Sequence, residues 1–261
     1  MRYYVVADVH GFYTELISVL TQKGFFEDKE PHKLIVCGDL FDRGKEAVLL
    51  QDFILDLLKK EQVILIRGNH EDLIVKLIND YHRWTNECLV FTHHWRNGTV
   101  DTVMQLTGMN LDEITINPKE MKLRMENTPF LKKILPSMLN YFETNHYIFV
   151  HGWIACEATG YGGQASSFKY LSDWRNAEQI DWDFARWYNG MDVARMGVIE
   201  TNKTIVCGHW HTSYGHSKLE GKGDEWGENA DFSPYYANGI IALDACTAVS
   251  KKINCIIVED N

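Results

Sequence analysis

The chain has 261 residues, 45% hydrophobic and 24% charged, which is enough apolar material for the core of one sizeable α/β domain and excludes disordered and fibrous classes. Its formal charge of −10 would repel a long polyanion over most of the surface, which disfavours stable nucleic-acid binding but allows a small phosphorylated substrate at a local cationic site. There is no run of about 18 apolar residues, no basic and cleavable leader and no C-x-x-C spacing among the cysteines, so a cytoplasmic protein with reduced thiols and no membrane association is expected.

Three short β-branched runs open the chain: RYYVVAD at 2–8, KLIVCGD at 33–39 and VILIRGN at 63–69. Each is too short for a helix and ends at a polar or glycine-containing turn, so each is predicted to be a strand. Amphipathic stretches at about 12–23, 45–60 and 71–84 predict a helix after each strand, and this alternation predicts a sheet with helices packed on it. From about 85 to 145 the pattern turns mainly helical, with TVDTVMQLTG and PFLKKILPSMLNYFET as its clearest pieces, and it reads as a helical insertion in a single domain spanning 1–261. Strand character returns in HYIFVHG (146–152), TIVCGH (204–209), GIIALDA (239–245) and KINCIIVED (252–260). The intervening 153–203 and 213–238 are rich in Gly, Trp, Ser and acidic residues.

Ligands on such sheets gather outside the carboxyl ends of the strands. Those ends carry Asp8 and His10, Asp39, Asp42 and Arg43, Asn69, His70 and Glu71, His151, then His209 and His211. Taken singly, an Asp, Asn or His there is more often a turn or capping residue. Taken together, these mixed oxygen and nitrogen donors suit Mn, Fe, Zn, Ni or Co, and the lack of clustered thiols argues against a structural zinc knot. One carboxylate can bridge two ions about 3.5–4 Å apart, and such a pair holds a hydroxide for in-line attack on phosphorus. Two divalent ions, Mn foremost, are therefore expected.

Asp8-Val9-His10-Gly11, Gly38-Asp39-Leu40-Phe41-Asp42-Arg43-Gly44, Gly68-Asn69-His70-Glu71, His151-Gly152 and Gly208-His209 resemble, in order, the motifs of the calcineurin-like metallophosphoesterases. The Asp-Arg-Gly element points to the phosphoprotein phosphatase branch, which includes serine/threonine phosphatases and the symmetrical diadenosine tetraphosphatases. A weaker echo of the bacterial members lies in Trp95-Arg96-Asn97-Gly98 followed by Thr102.

The resemblance implies an α/β fold with a central β-sandwich flanked by helices in α-β-β-α layers. It implies that Asp8, His10 and Asp39 hold one metal, with Asp39 bridging, and that Asn69, His151 and His209 complete the second. His70, oriented by Asp42, would protonate the leaving group, while Arg43 and Asn69 would contact the phosphoryl group. A second phosphate-binding arginine is expected at Arg186, in Phe184-Ala185-Arg186-Trp187-Tyr188, with Arg175 as alternative. His211 would be an extra ligand to the first metal. Trp153 stands where a small residue is usual, close to the expected substrate approach. The implied activity is hydrolysis of phosphate monoesters on a phosphorylated protein, serine/threonine phosphatase-like, or on a small phosphoester. The alternative is a bis(5'-nucleosyl)-tetraphosphatase. A catalytically inactive binding scaffold is disfavoured because Asp39, Asn69 and His70 are all present.

Overall fold

Side chains alternate between the two faces of a strand, and in the computed structural model, which describes residues 1–84, 86–159 and 167–260, that alternation sets the layers. Strands β1 (Arg2–Val6), β2 (His32–Cys37) and β3 (Val63–Ile66) are parallel neighbours, and β11 (Cys255–Glu259) pairs antiparallel with β1, giving the order β11-β1-β2-β3. A second sheet runs β4-β5-β8-β10-β9, from β4 (Phe142–Glu143), β5 (Tyr147–Phe149), β8 (Thr204–Cys207), β9 (Tyr235–Ala237) and β10 (Ile240–Ala242). Within it β5, β8 and β10 are parallel. Strands β6 (Cys156–Thr159) and β7 (Ser167–Tyr170) form a small antiparallel pair.

Tyr4 and Val6 of β1, with Leu34 and Val36 of β2, face helices α1 (Tyr13–Gln22) and α2 (Ala47–Lys59), meeting Leu16, Leu20, Leu50 and Ile54. Tyr3, Val5 and Ala7 point the opposite way and pack with Ile35, Cys37, Phe149, Val206 and Leu243. This second set lies between the sheets. On the outer face of the second sheet, Ile148, Ile205 and Ala242 are buried with Trp182, Tyr188, Met191 and Val193. The stack is therefore helix, sheet, sheet, helix: the flanked β-sandwich that the resemblance implied. Helices Thr99–Thr107, Leu111–Ile116 and Pro118–Glu126 join the core on the first sheet's outer face through Val100, Val103, Ile114, Met121 and Met125.

Two predicted boundaries move. Helix α3 covers Asn69–Asn79, beginning before the periodic stretch, because the Glu71 carboxylate accepts the Gly68 N–H at 2.8 Å and closes the first turn. The run read as helical through 144 ends earlier: Met138 turns extended, and Leu139 exchanges backbone hydrogen bonds with Leu65 and Arg67 at 2.9 Å before β4 begins. No helix among the described residues is long and apolar enough to cross a membrane.

Candidate active site

Because β1, β2 and β3 run parallel in one sheet, and β5, β8 and β10 run parallel in the other, their carboxyl ends deliver side chains to one edge of the sandwich. Asp8 and His10 follow β1, Asp39 follows β2, and Asn69 and His70 occupy the first turn of α3. His151, His209 and Asp244 follow β5, β8 and β10. The turns that aim them are strained. Asp8, His10, Asp39, Asp42, Arg43 and His209 all have positive φ, between 52° and 75°. For residues with a Cβ this costs on the order of 1–3 kcal/mol each and persists only where the surroundings over-determine it. Glycines make the room: a Cβ on Gly68 would lie 2.1 Å from Asp39 Oδ1, and one on Gly208 would lie 2.0 Å from Asp8 Oδ2.

Two groups of donors share Asp39. His10, Asp39 and His70 form one and Asp39, His151 and His209 the other, with the ligand atoms of each group within 4.8 Å of one another. The carboxylate divides between them. Its Oδ2 lies 3.8 Å from both His10 Nε2 and His70 Nε2, while its Oδ1 lies 3.3 Å from His151 Nε2. The imidazoles are set to present lone pairs. His10 Nδ1 donates to the Phe41 carbonyl and His151 Nδ1 to that of Cys37, both at 2.9 Å, and a carbonyl can only accept, so the proton sits on Nδ1 and Nε2 is free. His151 Nε2 then faces Asn69 Oδ1 at 2.8 Å and Asp39 Oδ1 at 3.3 Å, so acceptors converge on one another, as they do around a cation.

The electrostatics fit the same donor chemistry. Burial, then Arg43, hold the His10 imidazole well below its ordinary range, and burial, then His151, hold that of His209 down to about 3, which keeps both neutral. Burial opposes the Asp39 charge, but its carboxyl stays below the ordinary range, and of the imidazoles around it His70, whose own pKa is raised, is the one that carries a compensating charge. Asp8, Asp39, Asp42, Glu71 and Asp244 are all buried. Each ionised group withdrawn from water costs several kcal/mol unless compensated, and divalent cations would compensate them. Asp8 stands outside both groups, and its two oxygens accept the His209 N–H at 3.1 and 2.9 Å.

Beside the first group, His70 Nδ1 donates to Asp42 Oδ2 at 2.7 Å, and Arg43 Nη2 lies 3.4 Å from His70 Nε2. Burial lowers the affinity of His70 for a proton, but Asp39 and Asp42 raise it more, so its pKa lies above the ordinary value. The arrangement can hold a proton beside an anionic group bound at Arg43.

Several residues support the site in ways that sequence did not assign. Glu71 is fully buried and accepts the N–H groups of Asp39, Leu40 and Gly68 at 3.1, 2.9 and 2.8 Å, which clamps the turn carrying Asp39. Burial, then Asp39, push its carboxyl up to about 7. Thr99, Thr102 and Gln105 share one face of their helix. Thr99 Oγ1 donates to Asp42 Oδ2 at 2.7 Å, Thr102 Oγ1 accepts the Asp42 N–H at 2.9 Å, and Gln105 bonds the Gly44 carbonyl and the Ala47 N–H. Their i, i+3, i+6 spacing was the available signal.

Four residues singled out from sequence have partners of their own. Arg186 is buried and donates to Asp72 Oδ2 at 2.8 Å, to Asp183 and to Asn140 Oδ1 at 3.1 Å, so its donors are spent away from the cleft. Arg175, the alternative, pairs with Glu143 and Glu200 and lies over Trp174 at 4.3 Å. His211, like Asp8, lies outside both donor groups, but its Nε2 is engaged by Glu225 Oε1 at 3.1 Å. Trp153 also leaves the substrate approach clear. It is buried in the core of the second sheet and donates to the Val198 carbonyl at 2.9 Å.

The donor groups open into a cleft of about 420 Å³ lined by Arg43, His70, Asn97, Trp187, Trp210, His211, Glu225, Trp226 and Asp244, among others. Among the described residues that line it, Arg43 is the one lysine or arginine.

A family model described as calcineurin-like phosphoesterase matches residues 1–230. The asymmetrical bis(5'-nucleosyl)-tetraphosphatase PrpE of Bacillus subtilis is 24% identical over 203 residues, 73% of this chain and 75% of that protein. The symmetrical bis(5'-nucleosyl)-tetraphosphatase of Buchnera aphidicola subsp. Schizaphis graminum is 37% identical over 71 residues, 27% of this chain and only 24% of that protein's length. The match to PrpE of Bacillus velezensis likewise spans only 30% of that relative. Among solved structures, a cold-active protein-tyrosine phosphatase of a psychrophilic Shewanella species superposes with a TM-score of 0.56 at 17% identity, covering 100% of this chain and 76% of that one, a likeness of fold.

Proposed function

The chain belongs to the calcineurin-like phosphoesterase family, and from that premise we propose that it is a two-metal hydrolase of phosphate monoesters, acting on a phosphorylated protein in the manner of a serine/threonine phosphatase or on a small phosphoester. The observation that carries this reading is the divided Asp39 carboxylate, one oxygen toward His10 and His70 and the other toward His151. Asp8, His10 and Asp39 would hold one ion, and Asp39, Asn69, His151 and His209 the other. Mn is proposed first, with Fe, Zn, Ni and Co sharing the donor preference. When bound, such a pair neutralises phosphoryl charge and supplies a nucleophile from water at neutral pH.

The protein's own groups do the rest. Arg43, exposed at the cleft mouth, offers a planar fork of donors to two phosphoryl oxygens. His70, held by Asp42 through Nδ1, keeps Nε2 beside Arg43 and can pass a proton from there to a departing oxygen. Arg43→Ala is expected to lower kcat/KM by a factor equivalent to about 2–4 kcal/mol, as removal of one charge-stabilising donor does. Arg43→Lys should not restore it, because the fork is lost. Metal content should stay at the wild-type level in both variants, and an emptied metal site in Arg43→Ala would reassign the residue to structure.

The names of the relatives suggest dinucleoside tetraphosphates as the alternative substrate. A tetraphosphate needs several cations along its path, whereas Arg43 shares the described lining with Glu225 and Asp244, and this supports the monoester. The test compares kcat/KM of the metal-reconstituted protein on a phosphopeptide, an aryl phosphate, a phosphodiester and diadenosine tetraphosphate. The highest value is expected on a monoester. A preference for the tetraphosphate would move the assignment to the alternative.

A further inference from the structure

One wall of the cleft is made of indole rings. Trp187 and Trp226 remain 37% and 51% exposed, although rings of this size gain most from burial. Both line the cleft with Trp210. Trp187 and Trp210 stand edge-on to His209, their ring centroids 5.9 and 6.0 Å from it, so aromatic surface begins directly beside the donor groups. Trp226 lies over His211 at 4.3 Å and 40°. The segment that carries it is tied down on both sides of the neighbouring Glu225. The Glu225 carboxylate meets His211 Nε2 at 3.1 Å and Lys218 Nζ at 3.3 Å, and its backbone carbonyl accepts the Ser213 hydroxyl at 2.8 Å.

Resting on the phosphoesterase reading above, we propose that Trp187, Trp210 and Trp226 form a subsite for an aromatic leaving group esterified directly to the phosphate, and that His211 is the positioning residue that fastens Trp226 across the cleft. Three features of the lining select this substrate class. Trp187 and Trp210 abut His209, so a ring held between them lies next to the phosphoryl group rather than far along a chain. An aromatic ring gains face and edge contacts there that an alkyl chain of equal area does not. Arg43 beside Glu225 and Asp244 suits one phosphoryl group rather than a chain of them. His211 has committed Nε2 to Glu225 and a ring face to Trp226, which is the bonding of a support.

The experiment measures inhibition constants of two phosphonates, whose P–C bond removes any effect of leaving-group chemistry. Phenylphosphonate and propylphosphonate are compared on metal-loaded wild type, Trp226→Ala, His211→Ala and His211→Gln, with metal content determined for each. Wild type should bind phenylphosphonate about tenfold more tightly than propylphosphonate, the scale of an aromatic contact. Trp226→Ala and His211→Ala should lose most of that preference with both metals retained. His211→Gln, which keeps a donor for Glu225, should recover part of it. Equal affinities in wild type, or an unchanged preference in Trp226→Ala, would overturn the subsite. Loss of a metal in both His211 variants would make His211 a ligand and overturn the positioning role. Adenosine 5'-monophosphate binding tightly with no preference for phenylphosphonate would place the aromatic group at a distant base and overturn the aryl-ester assignment. If neither phosphonate bound and no phosphoester were hydrolysed, the phosphoesterase reading itself would fall, an outcome distinct from equal binding by an active enzyme.

Discussion

Asp39→Asn is expected to remove metal from both donor groups and to lower kcat/KM by at least about 10³-fold, the upper end of what loss of a single charge-stabilising group produces. The reason is that both Asp39 oxygens are in use: Oδ2 faces His10 and His70, and Oδ1 faces His151 while accepting the His70 N–H at 3.0 Å. An amide supplies one neutral oxygen and turns an NH2 toward the other group, so neither set of donors keeps its charge balance. No other single ligand change should cost as much, because every other ligand serves one ion. Elemental analysis of the purified variant, alongside circular dichroism to establish that it folds, would check this. Full metal occupancy with near-normal turnover would sink the bridging assignment.

His70→Asn should slow hydrolysis of an alkyl phosphate by about 10²–10⁴-fold, the range in which general acids operate, and should slow an activated aryl phosphate far less. An alkyl ester departs as a basic alkoxide and needs the proton, whereas an acidic phenol leaves largely unaided. His70 is placed for the task by Asp42, whose Oδ2 also accepts the Thr99 hydroxyl at 2.7 Å, and Asp42→Asn should shift the same balance more weakly. Because His70 Nε2 sits as near to Asp39 Oδ2 as His10 Nε2 does, at 3.8 Å, metal content separates the two possible roles. A missing ion in His70→Asn would make it a ligand. Equal losses on both esters with both ions retained would limit it to binding phosphate or positioning the nucleophile.

The residues of the two donor groups were legible because each follows a short apolar run at a turn, and the parallel pairing of those runs brings their ends together without further information. The layers were legible for the same reason, since period-two burial assigns Tyr3 and Val5 to one face and Tyr4 and Val6 to the other. Partners distant in sequence were not. Arg186 has an aromatic context suited to a phosphate site, yet Asp72, 114 positions away, takes its Nε–H. His211 looked like a ligand because Gly208-His209-Trp210-His211 places it beside one. Its partner, Glu225, lies in an acidic run that reads as solvated loop until the fold returns it to the cleft. Glu71 reads locally as a residue that begins the helix after β3. The spacing from Gly68 to Glu71 predicts a capping interaction, but nothing local predicts that the same carboxylate also holds the Asp39 turn.

If two ions share Asp39, both are needed for hydrolysis. The most direct measurement is titration of metal-free protein with Mn²⁺, recording bound metal and phosphate-monoester hydrolysis in the same samples. Saturation is expected near two ions per chain, with little hydrolysis until the second binds. Full activity at one ion per chain, or hydrolysis that persists in the metal-free protein, would contradict it.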